Sequence, residues 1–215
     1  EIRDLLARHG AVESVVFTDF FRDHDLDRGD PRRELVRILG LPRLAHERLV
    51  TLEPNRGAFV SKPTVAEARD IFDARRLIEP GIVTRFVAVA GRAGVARLRQ
   101  HVQAERRARA ADDKQTIVRL SGEFHVLMAE MAGNAMLARA MRELTLLTCL
   151  IIALYHPPAV PHCRNAKHGE IVDAIAAADR ARAVRLMIEH LNHVEDGLDL
   201  DPGQPVQLEL EAALA

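Results

Sequence analysis

From Thr64 to about Leu198 the apolar residues recur at three- and four-residue steps, and no stretch alternates as a half-buried strand would. That pattern commits most of the chain to helix packed on helix. Thr64 can cap a first helix over residues 64–79, with Val65, Ala68, Ile71, Phe72 and Ile78 on its inner side. Pro80 should kink or break it, and residues 81–90 resume. A second helix over 91–112 has Val95, Leu98 and Val102 as its stripe and a strongly charged outer face. A third over 114–132 stops at Gly133, and Asn134 caps the next, over 134–155. Pro157, Pro158 and Pro161 predict a loop before helices at 165–178 and 179–197, the latter capped by Asp179. The tail from Asp201, with Pro202, Gly203 and Pro205, reads as loosely ordered, ending in a short helix at 207–215. The expected fold is mainly α, with a bundle of six to seven helices.

The composition supports a packed core: 48% of the 215 residues are apolar and 28% charged. A net charge of −1 gives no global reason to expect a nucleic acid or membrane partner. The longest apolar run, 144–155, has 12 residues and is too short to span a bilayer. It suits a central helix or one buried in a subunit interface, and a homodimer is expected. Cys149 and Cys163 form no CxxC pair, and residues 1–10 are too charged for a signal peptide. Together these predict a cytoplasmic protein.

Residues 1–62 have a different texture. Ile2, Leu5 and Leu6 suggest a short helix ended by Gly10, and 19–34 is a charge-dense loop. Residues 31–39 can open a helix with Pro31 in its first turn, Gly40 and Pro42 stop it, and 43–50 is a further short helix. In TLEPNRGAFV, residues 51–60, β-branched and apolar residues flank Pro54-Asn55-Arg56-Gly57, a hairpin signal. The division expected is 1–62, 63–199 and a tail from 200.

Three histidines lie on apolar stripes of three different helices. His125 follows Leu120 and Phe124 and precedes Met128; His168 precedes Ile171, Val172 and Ile175; His190 follows Leu186 and Met187. Each can be a core histidine satisfied by one hydrogen bond. Alternatively the three converge in the bundle, where cofactor and metal sites are commonly built, and imidazole is a common ligand for zinc, nickel, copper and iron. His193 is either a fourth ligand or a surface residue; His9, His24, His46, His101, His156 and His162 have no comparable placement.

Four motifs, in order, carry a family resemblance from Arg43 to about Leu198. RLAHERLVTLEPNRGAFV, 43–60, resembles the end of the recognition helix and the wing of GntR-family bacterial transcription regulators. FDARRLIEP at 72–80, FHVLMAEMAGN at 124–134 and KHGEIVDAIAAADRARAVRLMIEHL at 167–191 resemble the FCD effector-binding domain of one GntR subfamily. The resemblance implies a winged helix-turn-helix ahead of the FCD bundle. The wing's Arg56 and Gly57, together with Arg32 and Arg33, would then approach operator DNA. Upstream of Arg43 the match falls away, through the apparent insertion Gly40-Leu41-Pro42, so that module is divergent or disrupted. Residues 1–62 carry 11 Lys/Arg and 11 Asp/Glu, without the basic surplus that usually neutralises phosphates.

The resemblance further implies that His125, His168 and His190 bind a divalent metal, zinc first, with nickel and manganese also possible. The family's aspartate one turn before the first histidine is replaced by Ser121. Either the metal is held less tightly, or an effector carboxylate supplies the anionic oxygen. Arg75 is the implied partner of a small carboxylate effector, by a charge-assisted bidentate pair, with a surface or interhelix ion pair as the plainer reading. Glu79 would orient an arginine. The function expected is therefore a ligand-responsive DNA-binding regulator, with a metal-free regulator as the alternative. A metal-dependent hydrolase is the weaker alternative: no stripe-facing carboxylate stands out as a general base, Ser121 is a poor one, and no P-loop, GxGxxG, GxSxG or HExxH occurs.

Overall fold

The computed structural model describes residues 45, 48, 50–53, 57–157 and 167–200. The expected N-terminal helices and charged loop lie outside these residues, as do Arg32, Arg33 and Arg56, the prolines of 158–161 and the tail helix. The hairpin is present: β1 (Val50–Glu53) pairs antiparallel with β2 (Gly57–Val60), Val50 opposite Val60 and Glu53 opposite Gly57.

Six helices follow among the described residues: α1 (Val65–Val89), α2 (Gly91–Ala110), α3 (Lys114–Met131), α4 (Ala135–Tyr155), α5 (Lys167–Ala176) and α6 (Arg180–Asp196). Their starts follow local chemistry. Thr64 and Glu67 form a reciprocal capping box at α1. Asp113, Asn134 and Asp179 each accept backbone N–H bonds at α3, α4 and α6. Gly133, at φ +70°, supplies the left-handed residue between α3 and α4.

Of the kink or break expected at Pro80, the break does not occur: helix α1 runs through it as one helix of 25 residues. An interior proline costs about 3 kcal/mol. Both halves of α1 are anchored in apolar clusters, Ala68 and Phe72 in one, Ile82, Val83 and Phe86 in another, and this packing outweighs the lost bond.

Helix α3 packs against α2, α4 and α1; α6 packs against α1 and α5, and α5 against α2. The main core, Phe86, Leu98, Phe124, Met128, Met141, Ile171 and Met187 among others, fills the space between them. Residues 145–151 of α4 are all buried within the single chain. The apolar run is thus a central helix, and a subunit interface is not needed to explain it. No helix among the described residues is long and apolar enough to cross a membrane.

Tyr155, at the end of α4, ties this bundle to the segment entering it. Its hydroxyl donates to the Pro63 carbonyl at 2.6 Å, and its own carbonyl accepts from Asp199 N–H at 2.8 Å.

Candidate metal centre

The stripes of α3, α5 and α6 bring His125, His168 and His190 to one point in the core, each no more than 3% exposed. Their Nε2 atoms face one another: 3.1 Å separates those of His168 and His190, and 3.3 Å those of His190 and His125. One ligand atom from each ring lies within 4.8 Å of the other two. The Phe124 ring stacks on His168 at 3.9 Å between centroids and meets His125 edge-on, walling one side.

Behind two of the rings stands a carboxylate. His125 Nδ1 donates to Glu79 Oε2 at 2.6 Å, and His168 Nδ1 donates to Glu105 at 2.8 and 3.0 Å from its two oxygens. Protons on these Nδ1 atoms leave both Nε2 lone pairs pointing inward. Burial, opposed by Glu79, pushes His125 down to about 4, and burial together with the other histidines pushes His190 well below its ordinary value. These two rings are therefore neutral near pH 7. Burial alone would raise Glu79, but Arg75 and His125 outweigh it and hold the carboxylate down to about 2. Glu105 is likewise lowered: burial raises it, and His168, Arg109 and His101 more than compensate.

Nε2 atoms 3.1 and 3.3 Å apart, with carboxylates behind two of the three rings, have the chemistry of a donor set for a divalent cation. The three residues fit such an ion. His193 is exposed, so the surface reading holds for it. His101 is part-buried outside the triad, its Nε2 2.8 Å from the Leu120 carbonyl.

Glu79 does orient an arginine, as expected: Arg75 Nε donates to its Oε1 at 2.6 Å. Arg75 is no surface residue. It is 3% exposed, and Nη1 donates to Thr148 Oγ1 of α4 at 3.1 Å. Among the described residues, three buried polar atoms have no hydrogen-bond partner: Arg75 Nη2, Thr145 Oγ1 and His190 Nδ1. Ser121 is half-buried on α3, one turn before His125. Beside it, a Cβ on Gly122 would stand 2.8 Å from Thr145 Cγ2 and 3.2 Å from Cys149 Sγ, so α3 and α4 meet closely here.

Sequence reasoning sought a stripe-facing carboxylate only as a general base, and it did not pair Glu79 and Glu105 with the rings of His125 and His168. Their signal was present. Glu79 continues the buried series Ala68, Phe72, Arg75, and Glu105 continues Gly94, Leu98, Val102. A carboxylate in register with an apolar stripe needs a buried donor, and a histidine on another stripe is one. Thr145 and Thr148 sit inside an apolar run and carried no comparable signal.

A profile of the FCD domain matches residues 70–193. No curated protein sequence matches the chain significantly. Similar solved structures include a protein assigned as a GntR transcriptional regulator from Rhodococcus sp. RHA1, with TM-score 0.65 and 22% identity, over 91% of this chain and 92% of that one. E. coli McbR/YncC aligns with TM-score 0.64 and 15% identity, over 71% of this chain and 78% of its own. A GntR protein of Streptococcus agalactiae aligns with TM-score 0.53 and 18% identity, over 86% and 99%.

Proposed function

The chain belongs to the FCD domain family, and we propose that it is a ligand-responsive transcriptional regulator whose helical domain holds a divalent metal and a small organic acid. The observation that carries this reading is the convergence of three buried Nε2 atoms with carboxylates behind two of the rings. His125, His168 and His190 would be the metal ligands. An all-imidazole set favours zinc or nickel over manganese, which suits oxygen ligands better. When bound, the ion supplies a Lewis-acidic position open to an anionic oxygen, of the kind Ser121 no longer offers.

The unpartnered Arg75 Nη2 and Thr145 hydroxyl support an effector carboxylate beside Ser121, because buried donors left unsatisfied are costly. Arg75 would hold the carboxylate, and Thr145 and Ser121 would orient it. Glu79 and Glu105 are each engaged behind a ring, so a regulatory site is favoured over a hydrolytic one.

The proposed division is an operator-binding segment over 1–62 with Arg32, Arg33, Arg56 and Gly57 at the DNA, an effector domain over 63–199, and a tail. The likeness in fold to GntR proteins supports that arrangement and a homodimer reading a two-fold operator. Effector binding would then shift the population between two placements of the DNA-binding segments.

Two measurements test the reading. Elemental analysis of protein purified without added metal should give about one divalent ion per chain, lost in His125→Ala, His168→Ala and His190→Ala but kept in His101→Ala. Retention in all three triad variants would refute the site. Light scattering at micromolar concentration should give twice the 23.9 kDa chain mass; a stable monomer would refute the dimer.

A further inference from the structure

We propose that Glu79 is the residue through which an anion at Arg75 changes the metal affinity of the histidine triad. The proposal rests on the reading of the site given above and adds to it the route of coupling. Glu79 is 2% exposed and its two oxygens serve different partners. Oε1 accepts from Arg75 Nε at 2.6 Å, and Oε2 accepts from His125 Nδ1 at 2.6 Å. The guanidinium therefore lies one hydrogen bond from a carboxylate that itself lies one hydrogen bond from a ligand ring. At the far end of this chain, Arg75 Nη2 is a buried donor with no partner among the described residues.

Glu105 is an internal control. It also buttresses a triad ring, but both its oxygens lie within 3.0 Å of His168 Nδ1. Its arginine is Arg109 at 3.3 Å, from the part-exposed side of α2. Among the described residues, none of the unpartnered buried atoms belongs to Glu105 or to a residue bonded to its far side.

The direction of coupling follows from charge. Arg75 draws the charge of Glu79 toward Oε1. An anion accepting from Nη2 shares that positive field, so Oε2 becomes a stronger acceptor from His125 Nδ1–H. A ring whose Nδ1–H is more strongly held is a more basic donor at Nε2. The anion thus tightens metal binding, and by linkage the metal tightens anion binding by the same factor. An anion acting on the ion only through space would not need Glu79.

The test titrates zinc into metal-stripped full-length protein with and without saturating succinate, allowing for zinc held by succinate itself. Wild type, Glu79→Gln and Glu105→Gln are compared. Succinate should tighten zinc binding of the wild type by about 5-fold or more. Both variants should bind zinc about 10- to 100-fold more weakly, since each loses a carboxylate behind a ring. Only Glu79→Gln should lose the succinate effect. In case that variant fails to fold, the downfield imidazole N–H resonances of the wild-type zinc protein are followed as well. Succinate should move that of His125 and leave that of His168 in place. Undiminished coupling in Glu79→Gln, or an unmoved His125 resonance, overturns the proposal. Wild-type protein that binds zinc equally well with and without succinate overturns the coupling while sparing the metal site. Wild-type protein that binds no zinc overturns the metal reading itself, and this proposal with it.

Discussion

The core around Phe86, Leu98, Phe124, Met128 and Met187 and the cluster around the three histidines share helices α1, α2, α3 and α6, yet they are closed to different degrees. The apolar core is complete: Phe86, Leu98, Phe124 and Met187 are all 0% exposed. The polar cluster keeps three buried atoms without partners among the described residues. Water exclusion alone satisfies an apolar side chain, whereas a polar one also needs a matched partner. Among the described residues the unpaired buried side-chain atoms belong to Arg75, Thr145 and His190, and under the proposed function they are where a bound group would be received.

The comparison is broken most severely from the apolar side. Phe86→Ala should cost about 3–5 kcal/mol of folding stability, the range for emptying a packed aromatic site. Denaturant unfolding with and without zinc checks this, and the loss should be the same in both. A loss that vanished with zinc would mean the two regions are one cooperative polar site.

On the polar side, His168→Ala should remove the stabilisation that zinc confers, about 2.7 kcal/mol when free zinc is 100 times its dissociation constant. Thermal unfolding over a zinc series reads this directly. A variant that still gains stability in proportion to zinc would place the ion elsewhere.

Ser121→Asp sharpens the contrast by restoring a carboxylate one turn before His125, on the same face. It should tighten zinc binding about tenfold or more, about 1.4 kcal/mol, and reduce the help that succinate gives. Equal zinc affinity in wild type and variant, with and without succinate, would show that no anionic ligand is wanting at this position.

The smallest effect belongs to Thr145→Val. Exchanging an unpaired buried hydroxyl for a methyl of similar shape should leave the ligand-free protein within about 1 kcal/mol of wild type, on the stabilising side. Succinate affinity should fall. A destabilised variant, by the same denaturant measurement, would mean that the hydroxyl has a partner after all.

What was legible in the sequence follows the reach of each interaction. The caps at Thr64, Asn134 and Asp179 and the stop at Gly133 depend on neighbours within three residues, so the sequence states them. The histidines were legible as inward-facing because stripe and ring belong to one helix. Their carboxylates were harder to assign: Glu79 lies 46 residues from His125 and Glu105 lies 63 from His168, and spacing along the chain cannot pair them. At Pro80 the break that the sequence allowed is absent for the opposite reason. Its local cost is real, and anchoring at Phe72 and Phe86 on either side overrides it. The apolar run of α4 was ambiguous because burial inside one chain and burial between two chains leave the same pattern in sequence.

The bond from Tyr155 to Pro63 gives the molecule an optical property of its own. The chain contains one tyrosine and no tryptophan. Its near-ultraviolet emission therefore comes from a single phenol, held against the carbonyl just before α1 begins. Burial raises the pKa of that phenol, and nearby Glu67 adds to the effect, so its ionisation can be followed by absorbance in alkaline solution. Any rearrangement that parts α4 from the entering segment would change both signals. The joint between the helical bundle and the residues that precede it can thus be watched without attaching a dye.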